Sequence, residues 1–129
     1  MGYASDKKIL VVDDEPDVRN FLAACMEDSG FNVETAIDGV DALEKVKAGP
    51  PDLITLDITM PEKSGVRFYR DIKENDALKD IPIIIVTGIS KDFEKFISSR
   101  KQVPPPEGYV SKPIDQDKIL ELVQKYTSA

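Results

Sequence analysis

The sequence contains no histidine and only one cysteine, Cys25. Without histidine, the chain cannot carry a Ser-His-Asp triad or a phosphohistidine of its own, and most kinds of zinc site are excluded. A single cysteine cannot form an internal disulfide, which agrees with a reducing compartment. Any phosphohistidine chemistry must therefore come from a partner.

Long apolar runs are also absent. No stretch approaches the roughly 20 residues needed to span a bilayer, and residues 1–8 lack the apolar segment of a signal peptide. The net charge of -7 argues against direct binding of nucleic acid or of anionic membrane surfaces. We therefore expect a cytoplasmic protein. Its 129 residues, 41% hydrophobic and 32% charged, predict one globular domain over 1–129, with 1–6 as a loose N-terminal segment.

Apolar runs alternate with apolar residues at helical spacing, and this alternation predicts five strands and five helices. The strands are predicted over residues 8–13, 31–36, 52–57, 81–87 and 108–111. The apolar positions of the helices are Val18, Phe21, Leu22, Cys25 and Met26; Val40, Leu43 and Val46; Val66, Tyr69 and Ile72; Phe93, Phe96 and Ile97 within 91–102; and Ile119, Leu122, Val123 and Tyr126. Such a pattern predicts an α/β fold with a parallel sheet and helices on both faces.

Residues that end or begin helices support this division. Gly30 is expected to end the first helix, and Gly49-Pro50-Pro51 the second. Pro104-Pro105-Pro106 ends the helix predicted over 91–102, and Asp115 is a plausible N-cap for the last helix.

Charged and polar residues follow the apolar runs. Asp13 and Asp14 close the first run, Asp57 the third and Thr87 the fourth, and Lys112 follows the fifth. Because reactive groups of an open parallel sheet gather at the carboxyl ends of its strands, we expect all five together. Three carboxylates about 5 Å apart would repel by roughly 3 kcal/mol per pair at an effective dielectric constant of 20. A cation is therefore expected among them.

The residue types at this edge favour phosphoryl chemistry. Carboxylate oxygens without histidine or cysteine select Mg²⁺ or Mn²⁺, and Mg²⁺ also prefers phosphate oxygens. Lys112 and the hydroxyl of Thr87 are suited to contact phosphoryl oxygens, and a carboxylate can act as nucleophile. We assign that role to Asp57, because Asp13 and Asp14 share one loop and are better placed to bind a metal together.

These residues belong to five motifs whose order resembles the receiver domain of two-component response regulators. The motifs are Asp13-Asp14-Glu15, Asp57-Ile58-Thr59-Met60-Pro61, Ser64-Gly65, Thr87-Gly88 and Lys112-Pro113. The resemblance covers essentially the whole chain. It implies a flavodoxin-like, three-layer, doubly wound fold like that of chemotaxis regulators, with five parallel strands in the order 2-1-3-4-5 and five helices.

The resemblance also implies roles for individual residues. Asp57 would accept a phosphoryl group from the phosphohistidine of a sensor histidine kinase or phosphotransfer protein. Mg²⁺ would be bound by Asp14, Asp57 and the backbone carbonyl of Thr59, with Asp13 acting directly or through water. Thr87 and Lys112 would contact the phosphoryl group.

A switch is implied as well. On phosphorylation Thr87 moves toward the phosphate, Tyr109 turns inward, and the surface formed by helix 91–102, the fifth strand and the last helix changes for output. Dimerisation on phosphorylation is compatible with this scheme, although the unusual segment Pro104–Gly108 leaves it open. The chain would be a signalling domain with weak self-catalysed phosphorylation and dephosphorylation, and not a conventional enzyme.

Three other functions fit parts of this pattern. An aspartate-nucleophile phosphatase usually has a second aspartate two residues after the nucleophile, where this chain has Thr59. A flavin-binding flavodoxin needs a first loop rich in Ser, Thr and Gly, whereas Asp13-Asp14-Glu15 would repel the flavin phosphate. A receiver that has lost phosphotransfer and acts as a scaffold is disfavoured by the intact set of acidic, hydroxyl and lysine residues.

Overall fold

A five-stranded parallel sheet forms the centre of the computed structural model, which describes residues 7–58, 64–87 and 106–127 and only the backbone of Ser64 and Thr87. The strands are β1 (Lys8–Val12), β2 (Asn32–Ala36), β3 (Leu53–Leu56), β4 (Ile83–Thr87) and β5 (Gly108–Ser111). Their order is β2-β1-β3-β4-β5, and every neighbouring pair is parallel. The predicted fold class and strand order are confirmed.

Four helices lie within the described residues: α1 (Pro16–Asp28), α2 (Gly39–Ala48), α3 (Ser64–Lys73) and α4 (Gln116–Thr127). The helix predicted over 91–102 lies outside them. In the part of the chain that is described, no helix is both long and apolar enough to cross a membrane.

Local sequence explains where these helices begin and end. After α1, Gly30 adopts a φ of 95°, a left-handed conformation that glycine tolerates best. The backbone N–H of Asp41 donates to the carboxylate of Asp38 at the start of α2, at 2.8 Å. At the start of α4 the carboxylate of Asp115 accepts from the N–H groups of Asp117 and Lys118, at 3.0 and 3.2 Å. The predicted N-cap is thus confirmed.

The sheet is covered on both faces, and alternate residues of each strand enter different core layers. One layer packs α2 and α3 against the sheet, and the other packs α1 and α4 against the opposite face. The first layer includes Leu10, Val12, Ala42, Val46, Ile54, Leu56, Phe68, Tyr69, Ile72, Ile83 and Ile85. The second includes Ile9, Val11, Leu22, Met26, Leu53, Ile84, Val86, Val110, Ile119 and Val123.

Two of the predicted apolar helix positions lie at the surface. Phe21 is 42% exposed and Val40 is 68% exposed. In α1 the buried stripe runs through Leu22, Cys25 and Met26, so that Phe21 falls at its flank. Cys25 is therefore a core residue, as predicted.

Four of the observed strands begin or end slightly inside their predicted limits, and β5 matches its prediction. Asp13 and Asp57 each follow the last residue of a strand, which places both at the edge of the sheet. Pro82 lies just before β4, and its carbonyl accepts a hydrogen bond from the N–H of Ile54 at 2.9 Å. Proline needs no donor of its own there, which agrees with its position at the start of the strand.

Candidate functional site at the carboxyl edge of the sheet

Asp13 and Asp57 are fixed by backbone hydrogen bonds that continue the sheet one step beyond its strands. The N–H of Asp13 donates to the carbonyl of Ala36 at 3.1 Å, and the N–H of Asp57 donates to the carbonyl of Val12 at 3.0 Å. Both residues are only 1% exposed. Because β1 and β3 are neighbours, the two buried carboxylates lie side by side.

Asp14 completes an acidic cluster with these two residues. One carboxylate oxygen from each of Asp13, Asp14 and Asp57 lies within 4.8 Å of the others. Asp14 is exposed, whereas its two neighbours are buried. The juxtaposition that we predicted from strand ends is therefore present.

Lys112 reaches into this cluster from the end of β5. Its Nζ lies 3.1 Å from Oδ2 of Asp57 and 3.3 Å from Oδ2 of Asp13. Burial by itself lowers the pKa of Lys112, but the hydrogen bonds to Glu15 and Asp57 outweigh that effect and raise the pKa above its ordinary value. The ammonium is thus held in its charged form next to Asp57.

A contact that sequence reasoning missed is the ion pair between Glu15 and Lys112. Oε1 of Glu15 lies 2.8 Å from Nζ of Lys112, which is the shortest of the lysine's three carboxylate contacts. Glu15 stands in the first acidic motif, but its side chain is exposed and the sequence gives no signal that it turns toward Lys112. Three carboxylates thus contact one ammonium.

The carboxylate of Asp13 is only partly satisfied by hydrogen bonds. Its Oδ1 accepts from the N–H of Glu15 at 2.8 Å. Its Oδ2 is buried and, among the described residues, accepts no hydrogen bond, so that its ionic contact is Lys112 at 3.3 Å. Burial raises the pKa of Asp13, the hydrogen bond from Glu15 lowers it, and the charge of Asp57 raises it again. The net shift of the pKa is upward, because burial is the largest of these effects.

Gly65 allows helix α3 to start directly against the backbone that carries Asp57. A Cβ atom at this position would lie 2.5 Å from the carbonyl oxygen of Asp57 and 2.7 Å from Cα of Ile58. Real Cβ atoms do not approach backbone so closely, and any side chain would displace the backbone of Asp57 and Ile58. This close approach explains why the Ser64-Gly65 motif has glycine at position 65.

The other predicted site residues are described to different extents. Thr87 is the last residue of β4 and pairs with Ser111, which places its backbone at the same edge as Lys112. Tyr109 is half-buried on β5 and packs against the core layer that contains Tyr69. Thr59 lies outside the described residues.

The donor set of the acidic cluster fits a hard divalent cation. It consists of carboxylate oxygens, and Asp13 also carries a buried Oδ2 that accepts no hydrogen bond among the described residues. Mg²⁺ and Mn²⁺ prefer such oxygen ligands, whereas zinc and copper prefer nitrogen and sulfur. The residues present therefore suit the predicted magnesium ion.

A groove of about 270 Å³ lies elsewhere, between α2 and α3. It is lined by Gly39, Val40, Leu43, Glu44, Lys47, Arg67, Phe68 and Asp71. None of the residues of the acidic cluster lines it, so it is separate from the candidate site.

Comparison with known proteins agrees with this geometry. A family model described as the response regulator receiver domain matches residues 9–124. Protein Rrf1 of Nitratidesulfovibrio vulgaris is 32% identical over 118 residues, covering 92% of this chain and 80% of that protein. The chemotaxis protein CheY of Treponema pallidum is 34% identical over 119 residues, covering 90% of this chain and 79% of that protein.

A solved structure shows the same likeness in three dimensions. The chemotaxis response regulator CheY4 of Vibrio cholerae superposes with a TM-score of 0.81 at 30% identity, covering 95% of this chain and 99% of that one. The similarity therefore extends across the whole sheet and its helices.

Proposed function

This chain belongs to the response regulator receiver domain family, and on that premise we propose that Asp57 is its phosphoacceptor. Receiver domains of two-component systems are signalling domains and not conventional enzymes. The observation that carries the proposal is the position of the Asp57 carboxylate, which is buried at the sheet edge with Nζ of Lys112 at 3.1 Å. Asp13 and Asp14 place two more carboxylates beside it.

The proposed reaction is phosphoryl transfer from a phosphohistidine of a sensor histidine kinase or phosphotransfer protein. A carboxylate oxygen of Asp57 attacks phosphorus, the P–N bond to the imidazole breaks, and the imidazole leaves with that electron pair and takes up a proton. The product is an acyl phosphate on Asp57. Because such transition states are loose, catalysis depends on positioning and charge neutralisation.

Lys112 and Thr87 are the proposed partners of the phosphoryl oxygens. The ammonium of Lys112 already contacts Asp57, so it can donate to an oxygen of a group attached there. Thr87 supports the proposal through its backbone position at the end of β4, from which a hydroxyl donor is expected. Weak self-catalysed phosphorylation and dephosphorylation are part of the same proposal.

The proposed cofactor is Mg²⁺, with Mn²⁺ as its substitute. Asp13, Asp14 and Asp57 would hold it, together with the backbone carbonyl of Thr59, which lies outside the described residues. When bound, the ion neutralises charge on the phosphoryl group and on the carboxylates. Without it, Lys112 is the single ammonium that contacts the carboxylates of Asp13, Glu15 and Asp57 in the described part of the chain.

Signal output is proposed to follow from a movement of Thr87 and an inward turn of Tyr109. The half-buried position of Tyr109 against the core supports this role. The output surface would comprise residues 91–102, which lie outside the described residues, together with β5 and α4. Dimerisation through it on phosphorylation is part of the proposal.

The proposal treats residues 1–129 as one receiver domain that meets its kinase in the cytoplasm. Residues 1–6, predicted as a loose segment, lie outside the described residues. The domain itself is proposed to act without direct contact with nucleic acid or membrane, in keeping with its net charge of -7.

The test is incubation with acetyl phosphate and Mg²⁺ followed by intact mass measurement. The wild-type chain should gain one phosphate, and Asp57→Asn should gain none. Asp76→Asn is the matched control, because the carboxylate of Asp76 is 98% exposed and lies far from the site in sequence and fold. No gain in the wild type, even with a phosphorylated partner present, would favour the scaffold hypothesis.

A further inference from the structure

Lys112 shares its ammonium group among three carboxylates. Oε1 of Glu15 lies at 2.8 Å, Oδ2 of Asp57 at 3.1 Å and Oδ2 of Asp13 at 3.3 Å. An ammonium group has three N–H donors. Two of these donors are already used in hydrogen bonds to Glu15 and Asp57, and the carboxylate of Asp13 is a third negative neighbour.

A phosphoryl group on Asp57 needs one of these donors. Water cannot solvate the buried carboxylates of Asp13 and Asp57, since each is only 1% exposed. The side chain of Glu15 is 60% exposed, so water can solvate its carboxylate once the lysine is withdrawn. Glu15 is thus the contact that Lys112 can release at the smallest cost.

The position of Glu15 is determined by the backbone around it. Its N–H donates to Oδ1 of Asp13 at 2.8 Å, and its carbonyl accepts from the N–H of Arg19 at 2.9 Å in the first turn of α1. Nη1 of Arg19 in turn donates to the carbonyl of Asp13 at 2.8 Å. The contact with Lys112 therefore starts from a well-fixed loop and not from a free surface side chain.

We propose that Glu15 competes with the incoming phosphoryl group for the ammonium of Lys112 and thereby slows phosphorylation of Asp57. Glu15 is a positioning residue in this scheme, because it acts through Lys112 and not on the reacting atoms. The inference rests on the proposed function of Asp57 as phosphoacceptor. It adds a residue that sets how readily the site accepts anionic donors.

The test compares Glu15→Gln with the wild type and with Asp17→Asn. The exposed Asp17 lies in the first turn of α1, so its substitution removes the same charge and leaves the Glu15–Lys112 contact intact. We expect Glu15→Gln to react with acetyl phosphate about two- to fivefold faster than Asp17→Asn, in keeping with the strength of an exposed ion pair. Affinity for beryllofluoride, a phosphoryl mimic that needs no transfer step, should rise by a similar factor.

The charge of the phosphodonor distinguishes competition by Glu15 from an effect of the substitution on folding. Acetyl phosphate carries more negative charge than phosphoramidate, so the gain in Glu15→Gln should be larger with acetyl phosphate. It should also shrink as salt is raised, because salt screens an exposed ion pair. An effect on folding alone would change both donors equally.

Two negative results would have different meanings. If the wild type gains no phosphate from either donor or from a phosphorylated partner, the phosphoacceptor role of Asp57 fails and the inference falls with it. If the wild type is phosphorylated but Glu15→Gln is no faster than Asp17→Asn, the phosphoacceptor role stands and the competition by Glu15 is wrong.

Discussion

Two lysines at opposite ends of the sheet meet acidic partners in different ways. At the amino end, Lys73 closes α3 with a side chain that is only 3% exposed. Its Nζ lies 3.3 Å from Oε1 of Glu107 and 3.4 Å from the carbonyls of Lys79 and Ile81. One ammonium here meets one carboxylate, and the remaining partners are neutral.

Glu107 also has hydrogen-bond partners for both its side chain and its backbone. Its Oε1 accepts from the N–H of Ile83 at 2.7 Å, and its own N–H donates to the carbonyl of Ile83 at 3.0 Å. The charge of Glu107 also contributes, after burial, to raising the pKa of Tyr69, whose ring lies 5.9 Å from Nζ of Lys73. This pair thus joins the end of α3 to the first residues of β4 and β5.

At the carboxyl end, Lys112 contacts three carboxylates, and Asp14 adds a fourth to the cluster. The charges do not balance, and the buried Oδ2 of Asp13 accepts no hydrogen bond within the described residues. A balanced ion pair therefore stabilises the fold, whereas an excess of negative charge favours binding of a cation and of a reacting group.

The largest effect is expected at the balanced end. Lys73→Met keeps most of the length of the side chain but leaves Glu107 without its cation, and breaking a largely buried pair costs about 3 kcal/mol in the free energy of unfolding. Chemical denaturation followed by circular dichroism measures this loss.

Lys79→Met is the control for Lys73→Met. Lys79 is 50% exposed and pairs with the exposed Asp76 at 3.5 Å, so its loss should cost less than about 1 kcal/mol. Equal losses in the two variants would show that the Lys73–Glu107 pair has no special role.

Addition of Mg²⁺ should produce the next largest effect, at the other end of the sheet. A ligand that binds only the folded state stabilises it by about 2.7 kcal/mol at a concentration one hundred times its Kd. Asp14→Asn removes the exposed member of the acidic cluster and should reduce this gain. The measurement is the free energy of unfolding with and without Mg²⁺.

The Lys73→Met variant also tests whether the two ends of the sheet are independent. It should be less stable than the wild type at every Mg²⁺ concentration but should keep the full increment on adding the ion. A loss of that increment would mean that the two ends of the sheet are coupled.

The smallest effect is expected from pH, in protein kept free of metal with a chelator. The pKa of Asp13 is raised above its ordinary value of 3.8, mainly by burial, so the folded state holds this proton more tightly than the unfolded state. Its contribution to stability is fully present below 3.8 and is lost as the pH rises through the raised pKa.

Asp13→Asn isolates this contribution, because asparagine cannot titrate. The stability of the wild type relative to Asp13→Asn should fall as the pH rises through that window. A relative stability that rises over the same window would contradict the charge excess at this site.

Sequence alone predicted the fold because each strand is a separate apolar run and each run ends at a turn or a charge. The same feature located the site, since Asp13, Asp57 and Lys112 follow strands that are parallel. Periodicity failed where neighbouring positions are both apolar, as at Phe21 and Leu22, because it does not decide which of the two faces the core.

Contacts between distant side chains were not predictable. Glu15 and Lys112 are 97 residues apart, and their contact depends on how far each side chain extends from its loop. The sequence does not distinguish Lys73 from an ordinary lysine in the last turn of a helix. Its burial accompanies the contact with Glu107, which lies 34 residues away in the sequence.

The phosphoryl group is expected to attach to the carboxylate of Asp57. Borohydride reduces an acyl phosphate to an alcohol. Treating the phosphorylated protein with borohydride and locating the change by peptide mass therefore identifies the phosphorylated residue. The account predicts homoserine at position 57 and nowhere else. Reduction at position 13 or 14, with Asp57 unchanged, would contradict it.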